Sequence, residues 1–158
     1  MDTLTRPPGT GACSVELDAT PEAARAARAY VTEVLSAWAM PADLIDTARL
    51  LTSELATNAI THGQGQGRGG TFTLDVRSFG CCLSVDVADH SPGVPVLRSP
   101  AGDTENGRGL LLIERAADSW GYYFAGDRKH VWFHLAHASQ SVTAEITRGS
   151  TGLRTCSL

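Results

Sequence analysis

The longest regular pattern in this sequence is an apolar stripe at helical spacing. Residues 40–43 read Met-Pro-Ala-Asp, and a proline followed by an acid is typical of a first helical turn. Apolar side chains then recur at intervals of three and four: Leu44, Ala48, Leu51, Leu55 and Ala59. This spacing predicts a helix over roughly 42–62. Because such a helix buries only one face, the rest of the chain must supply a layer that covers it.

The remaining segments predict five strands and two more helices. Alternating apolar and polar residues predict strands over 13–17, 71–77 and 83–89, and two closing strands, 119–124 and 130–135, flank a predicted tight hairpin turn at Gly126-Asp127. Thr20-Pro21-Glu22 is typical of a helix start with Thr20 as the N-cap, and we expect that helix to run to about Trp38. Residues 109–117 predict a short buried helix. This order of elements predicts an α+β fold, a two-layer sandwich with the helices on one face of a mixed, mainly antiparallel sheet.

Length and charge limit the classes of function. The 158 residues fit one domain, and we expect a flexible N-terminal arm over 1–11, the domain over 12–136 and a flexible C-terminal tail over 137–158. A net charge of −4 argues against direct binding to nucleic acid. No run approaches the roughly 20 apolar residues of a membrane helix, and the start is unlike a signal peptide. We therefore expect a cytoplasmic protein whose four cysteines are reduced thiols.

Three separate segments carry candidate chemistry. Glu54 and Asn58 are four apart on the predicted helix, so a carboxylate and a carboxamide share one face. Asp89 ends a buried strand just before a turn that contains Gly93. Asn106-Gly107-Arg108-Gly109 precedes the short helix and places flexible backbone amides at a helix N-terminus, where phosphates bind well. Each segment alone is common in proteins without such a site.

Other suggestive segments have simpler interpretations. The glycine-rich run 63–70 lacks the Lys-Ser/Thr of a phosphate loop and leads into a strand, so we interpret it as a connector. His130 and His134 are about 13 Å apart along a strand at ~3.3 Å per residue, too far to share one metal ion. The aperiodic segment 90–107 is a candidate lid.

Taken together, the three segments resemble the N, G1 and G2 boxes of the GHKL (Bergerat-fold) ATPases. Residues 53–63, SELATNAITHG, are similar to the N box, and residues 106–110, NGRGL, are similar to the G2 box. The chain most resembles the RsbW-like anti-sigma factor serine/threonine kinases of the stand-alone actinobacterial type, and the resemblance covers about residues 12–135. It implies a kinase that uses ATP and Mg²⁺, phosphorylates a STAS-type anti-sigma factor antagonist, sequesters a sigma factor and forms a homodimer.

The resemblance also implies a role for each matching residue. Glu54 would be the general base, Asn58 would hold Mg²⁺, and Asp89 would accept a hydrogen bond from the adenine amino group. The other nucleotide-binding residues, which shape the adenine pocket or surround the phosphates, would be Gly93, Gly107, Arg108, Gly109 and Leu110.

The sequence departs from the family pattern at three places. Ser91 stands at the first glycine of the G1 box, Glu105-Asn106 stands where some members have an arginine, and Arg128-Lys129-His130 stands where a Gly-Thr pair is usual. These departures keep open a second function, a nucleotide-sensing regulatory module with little or no phosphotransfer. A detached histidine-kinase catalytic domain is a third possibility, which requires a phosphoacceptor helix in another chain.

Overall fold

The computed structural model describes residues 11–63, 70–95 and 108–138. Strand β1 (Gly11–Asp18) is followed by helices α1 (Ala23–Ala37) and α2 (Ala42–Gly63) and by strands β2 (Thr71–Phe79) and β3 (Cys82–Asp89). Helix α3 (Arg108–Ala116) and strands β4 (Ser119–Ala125) and β5 (Arg128–Ala136) complete the described part of the chain. The long apolar stripe is therefore the inner face of α2, as its spacing predicts.

The five strands form one antiparallel sheet in the order β1-β2-β3-β5-β4. Strands β4 and β5 form a hairpin whose turn includes Gly126 at a φ of +61°, a backbone conformation that favours glycine. Since β5 returns from the sheet edge to lie beside β3, residues at the end of β3 face residues at the start of β5, and Asp89 is paired with Lys129. This strand order therefore places Asp89, a predicted site residue, beside Lys129.

The hydrophobic core lies between the helices and one face of the sheet. Alternate residues of the strands point into it, and Val85, Phe133 and the α3 residue Ile113 are fully buried there. From α2, Leu51 and Leu55 pack into the same core. The prediction of an α+β two-layer sandwich with a mainly antiparallel sheet is therefore confirmed.

Two details of the sequence interpretation are wrong. Helix α1 begins at Ala23 with Glu22 at its N-cap and no side-chain cap hydrogen bond. Thr20 instead precedes the helix, and its carbonyl accepts a hydrogen bond from the backbone N–H of Ala23 at 3.0 Å. Cys13 and Cys82 are free thiols, whereas Cys81 is disulfide-bonded, so the expectation of reduced thiols does not hold for Cys81.

The predicted boundaries of the arm and the tail stay predictions. Residues 1–10 and 139–158 lie outside the described part of the chain, and Gly11, the last residue of the predicted arm, begins β1. Among the helices that the structure describes, none has the length and apolar character needed to cross a membrane.

Candidate functional site

Glu54 and Asn58 lie one turn apart on α2, at the edge of its buried face. Both side chains are half-buried, next to the fully buried Leu51 and Leu55 stripe. Burial raises the pKa of the Glu54 carboxyl group. Within the described residues neither side chain has a hydrogen-bonding partner. The helix thus presents a carboxylate of increased basicity and a carboxamide, both available to a ligand.

Glu54 is in direct contact with the start of α3. Gly109, the second residue of that helix, is buried, and a Cβ atom placed on it would lie 2.5 Å from Oε2 of Glu54. Only a residue without a side chain allows this approach, because the carboxylate occupies the space that a Cβ would need. The first turn of a helix carries backbone N–H groups without partners in the helix and a partial positive charge. The structure therefore brings Glu54 beside a group of donors suited to an anion.

The remaining residues of the predicted G2 segment are partly described. Leu110 is buried and belongs to the hydrophobic core, so its side chain supports the first turn of α3. Arg108 is the first residue of α3, but its side chain lies outside the described part of the chain, as does Gly107. The predicted roles of these residues stay predictions, and so does the lid over 90–107, of which only residues 90–95 are described.

Asp89 belongs to a second, buried polar cluster. Asp89, Ser91 and Lys129 are all less than 7% exposed. The carboxylate atom Oδ1 of Asp89 accepts a hydrogen bond from the backbone N–H of Ser91 at 2.6 Å and another from the Ser91 hydroxyl group. The ammonium group of Lys129 donates a hydrogen bond to Oγ of Ser91, and its Nζ lies 3.6 Å from Oδ1 of Asp89. We call these three residues the Asp89 cluster.

Gly93 follows the Asp89 cluster in a bend of the chain. Its φ is +98°, and nothing lies within 4 Å of the position that a Cβ would take. Glycine is thus required here by the backbone conformation and not by crowding.

Lys129 is the residue that the sequence interpretation missed. The sequence marks it as a departure from the family pattern but does not by itself assign it to the site. Alternate residues of a strand lie on the same face of the sheet, and Lys129 alternates in step with the buried residues Val131, Phe133 and Leu135. Alternation alone therefore predicts that it points inward. An inward lysine is rare unless it is paired, which is the signal that could have identified it.

His130, the other departure on this strand, points to the opposite face of the sheet. Its Nδ1 lies 2.8 Å from Oδ1 of Asp86, and its ring stacks on Tyr123 with centroids 4.5 Å apart. Burial raises the pKa of Asp86, and His130 partly opposes that shift. These residues border an open cavity of about 250 Å³ that also includes Asp75 and Trp132. His130 therefore belongs to a face of the sheet that the helices do not cover.

Comparison with known families assigns a class to this two-layer sandwich. Residues 17–135 match the model of the Histidine kinase-like ATPase domain, and the chain belongs to that family. The prediction of a GHKL family member is thus confirmed, and membership implies that the chain binds ATP.

Two individual proteins are similar to this chain. The uncharacterized protein SCO4941 of Streptomyces coelicolor is 43% identical over 81 residues, which are 50% of this chain and 75% of that protein. The crystal structure of the RsbU and RsbW domains of Rv1364c from Mycobacterium tuberculosis aligns with a TM-score of 0.61 at 20% identity. The alignment covers 82% of this chain but only 32% of that one, so the chain spans about a third of its length. At this identity the likeness shows the fold.

Proposed function

We propose that the chain is an ATP-dependent protein serine/threonine kinase and anti-sigma factor, which phosphorylates a STAS-type antagonist and sequesters a sigma factor. The observation that most supports the kinase activity is the contact between Glu54 and Gly109. A helix N-terminus favours phosphate groups, and a base beside it is well placed to receive the proton of a hydroxyl group that attacks the terminal phosphoryl group.

Each group at the site has a part in this reaction. The substrate hydroxyl loses its proton to Glu54 while its oxygen bonds to the γ-phosphorus and the bond from that phosphorus to the β-phosphate oxygen breaks, which releases ADP. Burial of Glu54 supports this role because the raised pKa makes the carboxylate a stronger base. The backbone amides of Gly107 and Gly109 and the side chain of Arg108 would neutralise charge on the phosphates. Asp89 would accept a hydrogen bond from the exocyclic amine of adenine.

The carboxamide oxygen of Asn58, one helical turn from Glu54, suits a magnesium ion that arrives with the nucleotide. The described residues contain no group of three His, Cys, Asp or Glu side chains that could hold a metal by themselves. Mg²⁺ in phosphoryl-transfer sites usually takes only one or two protein oxygens, and phosphate oxygens and water supply the rest. The carboxamide oxygen of Asn58 fits that requirement, since no described residue engages it. The ion would neutralise the charge that develops on the transferred phosphoryl group.

The partners in this proposal come from the resemblance to RsbW-like kinases. The similar structure from Mycobacterium tuberculosis contains an RsbW domain, which supports a place in a partner-switching system. An anti-sigma factor of this type acts on proteins and requires no contact with nucleic acid, in agreement with the net charge of −4. A homodimer belongs to the same proposal.

A second candidate function is a nucleotide-sensing module without phosphotransfer. What motivates it is the set of departures from the family pattern at Ser91, Glu105 and His130. Such a module would bind ATP and change its affinity for a partner protein, but it would not transfer the phosphoryl group.

Transfer of label from ATP distinguishes the two functions. The chain is incubated with γ-³²P-labelled ATP, Mg²⁺ and purified STAS-domain proteins of the source organism, and the labelled residue is identified. A label on serine or threonine that is lost in Glu54→Gln and kept in Glu33→Gln, an exposed glutamate of α1, supports the kinase. Binding of ATP without transfer to any STAS protein supports the module. Absence of ATP binding contradicts both.

A further inference from the structure

The Asp89 cluster places a positive charge at the end of the site where a base would bind. Asp89 ends β3 and Lys129 lies opposite it on β5, so the backbone fixes the two side chains side by side. The side chains are 5% and 7% exposed, and the pair is therefore largely shielded from water. Ser91 connects them, because its hydroxyl group donates to Asp89 and accepts from Lys129.

The hydrogen bonds within the cluster leave two groups unused. Both hydrogen bonds from Ser91 go to Oδ1 of Asp89, so within the described residues Oδ2 accepts none. The ammonium group of Lys129 has three N–H donors, and one of them is taken by Ser91. Nζ and Oδ1 of Asp89 are 3.6 Å apart, which is an ion pair rather than a hydrogen bond. The cluster therefore holds a free acceptor, which keeps contact with solvent, and a free donor.

We infer that Lys129 is a specificity-determining residue that reads the base of the nucleotide together with Asp89. The inference rests on the proposed function, in which Asp89 meets the exocyclic amine of adenine. Oδ2 of Asp89 would accept a hydrogen bond from that amine, and the ammonium group of Lys129 would donate one to a ring nitrogen beside it. In adenine the amine lies between two such acceptors, N1 and N7. The ammonium group of Lys129 thus matches the ring nitrogen, which accepts, and the carboxylate of Asp89 matches the amine, which donates.

The burial of the cluster supports a ligand-reading role over a purely structural one. A buried ion pair contributes little to stability compared with apolar residues of similar size, so its presence is not explained by packing. Among the described residues, the one buried side-chain oxygen or nitrogen without a hydrogen-bonding partner is Oγ1 of Thr52, so the unused Oδ2 of Asp89 keeps contact with solvent. A base that approaches from that side would reach Oδ2 and an unused N–H of Lys129.

The test combines altered ligands with an altered protein. Isothermal titration calorimetry with Mg²⁺ measures binding of ATP, 1-deaza-ATP and 7-deaza-ATP, which lack one or the other ring nitrogen beside the amine. The control ligand is 3-deaza-ATP, whose altered atom lies away from the amine. The same four ligands are then titrated into Lys129→Met, which keeps the length of the side chain and removes its charge and donors.

We expect one of the two analogues, 1-deaza-ATP or 7-deaza-ATP, to bind the unmutated chain about tenfold or more weakly than ATP, the loss expected for a hydrogen bond to a charged group. In Lys129→Met the difference between ATP and that analogue falls to within about twofold. The ratio of ATP to 3-deaza-ATP is the same in both proteins.

The possible contrary results are distinct. If the unmutated chain binds ATP, 1-deaza-ATP and 7-deaza-ATP equally well, or if its discrimination persists in Lys129→Met, the role of Lys129 is wrong while the proposed function stands. If the unmutated chain binds none of the nucleotides, the proposed function fails as well. The comparison on the unmutated chain does not depend on the folding of the variant.

Discussion

Gly109 lies against the carboxylate of Glu54, although the two residues belong to different helices far apart in the sequence. The position that a Cβ would take at residue 109 is only 2.5 Å from Oε2 of Glu54, which shows how little space separates them. The carboxylate therefore lies at the N-terminus of α3. Most of the testable consequences of the proposed function depend on this relationship.

Gly109→Ala is expected to reduce phosphotransfer while leaving the fold intact. The new methyl group takes the place of the flexible end of Glu54, so the carboxylate moves away from the start of α3. A displacement of about 1 Å costs on the order of 10- to 100-fold in turnover, whereas ATP affinity changes less. Turnover and ATP affinity are measured separately by the transfer assay and by calorimetry.

A glycine substitution outside the site provides the control for Gly109→Ala. Gly126 lies in the β4–β5 turn at a φ of +61° with open space around it, so Gly126→Ala costs about 1 kcal/mol in backbone strain. It should lower stability and keep the turnover number. Equal turnover in Gly109→Ala and the unmutated chain would contradict the proposed role of the contact.

Glu54→Gln is expected to make the protein more stable and inactive. Burial raises the pKa of Glu54 above its ordinary value of 4.5, which means that the folded state disfavours the ionised carboxylate. At pH values between the ordinary and the raised pKa, Glu54 is more often protonated in the folded chain than in the unfolded chain. The free energy of unfolding therefore falls as the pH rises through this range. A neutral glutamine avoids this loss at pH 7.

Urea denaturation at two pH values checks the stability of Glu54→Gln. The variant should have the larger free energy of unfolding at pH 7, and the difference should disappear below 4.5, where Glu54 is protonated in both states. A variant less stable than the unmutated chain at pH 7 would show that ionised Glu54 supports the fold, contrary to its proposed role.

The rate of phosphotransfer should depend on pH through the same group. Glu54 accepts a proton only when it is ionised, so the rate falls as the pH decreases through its raised pKa. The midpoint of that limb should therefore lie above 4.5, the ordinary value for glutamate. Single-turnover rates measured across the acidic range provide the profile. A midpoint at or below 4.5 would show that another group controls the limb.

The elements of the fold could be predicted because their periods follow directly from backbone geometry. The stripe from Leu44 to Ala59 repeats at helical spacing and gives α2, and the alternation in β2 and β3 gives a hairpin. The start of α1 was less predictable, since a threonine before a proline suits an N-cap and an ordinary turn equally well. Thr20 lies in a turn before the helix, and its carbonyl rather than its hydroxyl group accepts the hydrogen bond from the backbone N–H of Ala23.

The Asp89 cluster could not be predicted because it depends on strand order. β4 intervenes in the sequence between β3 and β5, and nothing in the residue pattern states that β5 returns to lie beside β3. Alternation predicts that Lys129 points inward, but the pairing of Asp89 with Lys129 requires the register between the two strands. Both the local pattern and the topology are needed to assemble this part of the site.

Thr52→Val is expected to stabilise the protein without affecting the site. Thr52 is fully buried on α2, and its hydroxyl group has no hydrogen-bonding partner within residues 11–63, 70–95 and 108–138. A buried hydroxyl without a partner carries a desolvation cost, and valine has nearly the same shape, so the substitution should raise the free energy of unfolding by about 1 kcal/mol. Thr47→Val is the matched control on the same helix, because Thr47 donates a hydrogen bond to the carbonyl of Asp43 at 2.9 Å and should gain nothing. Chemical denaturation measures both variants, and a loss of stability in Thr52→Val would show that its hydroxyl group has a partner outside the described residues.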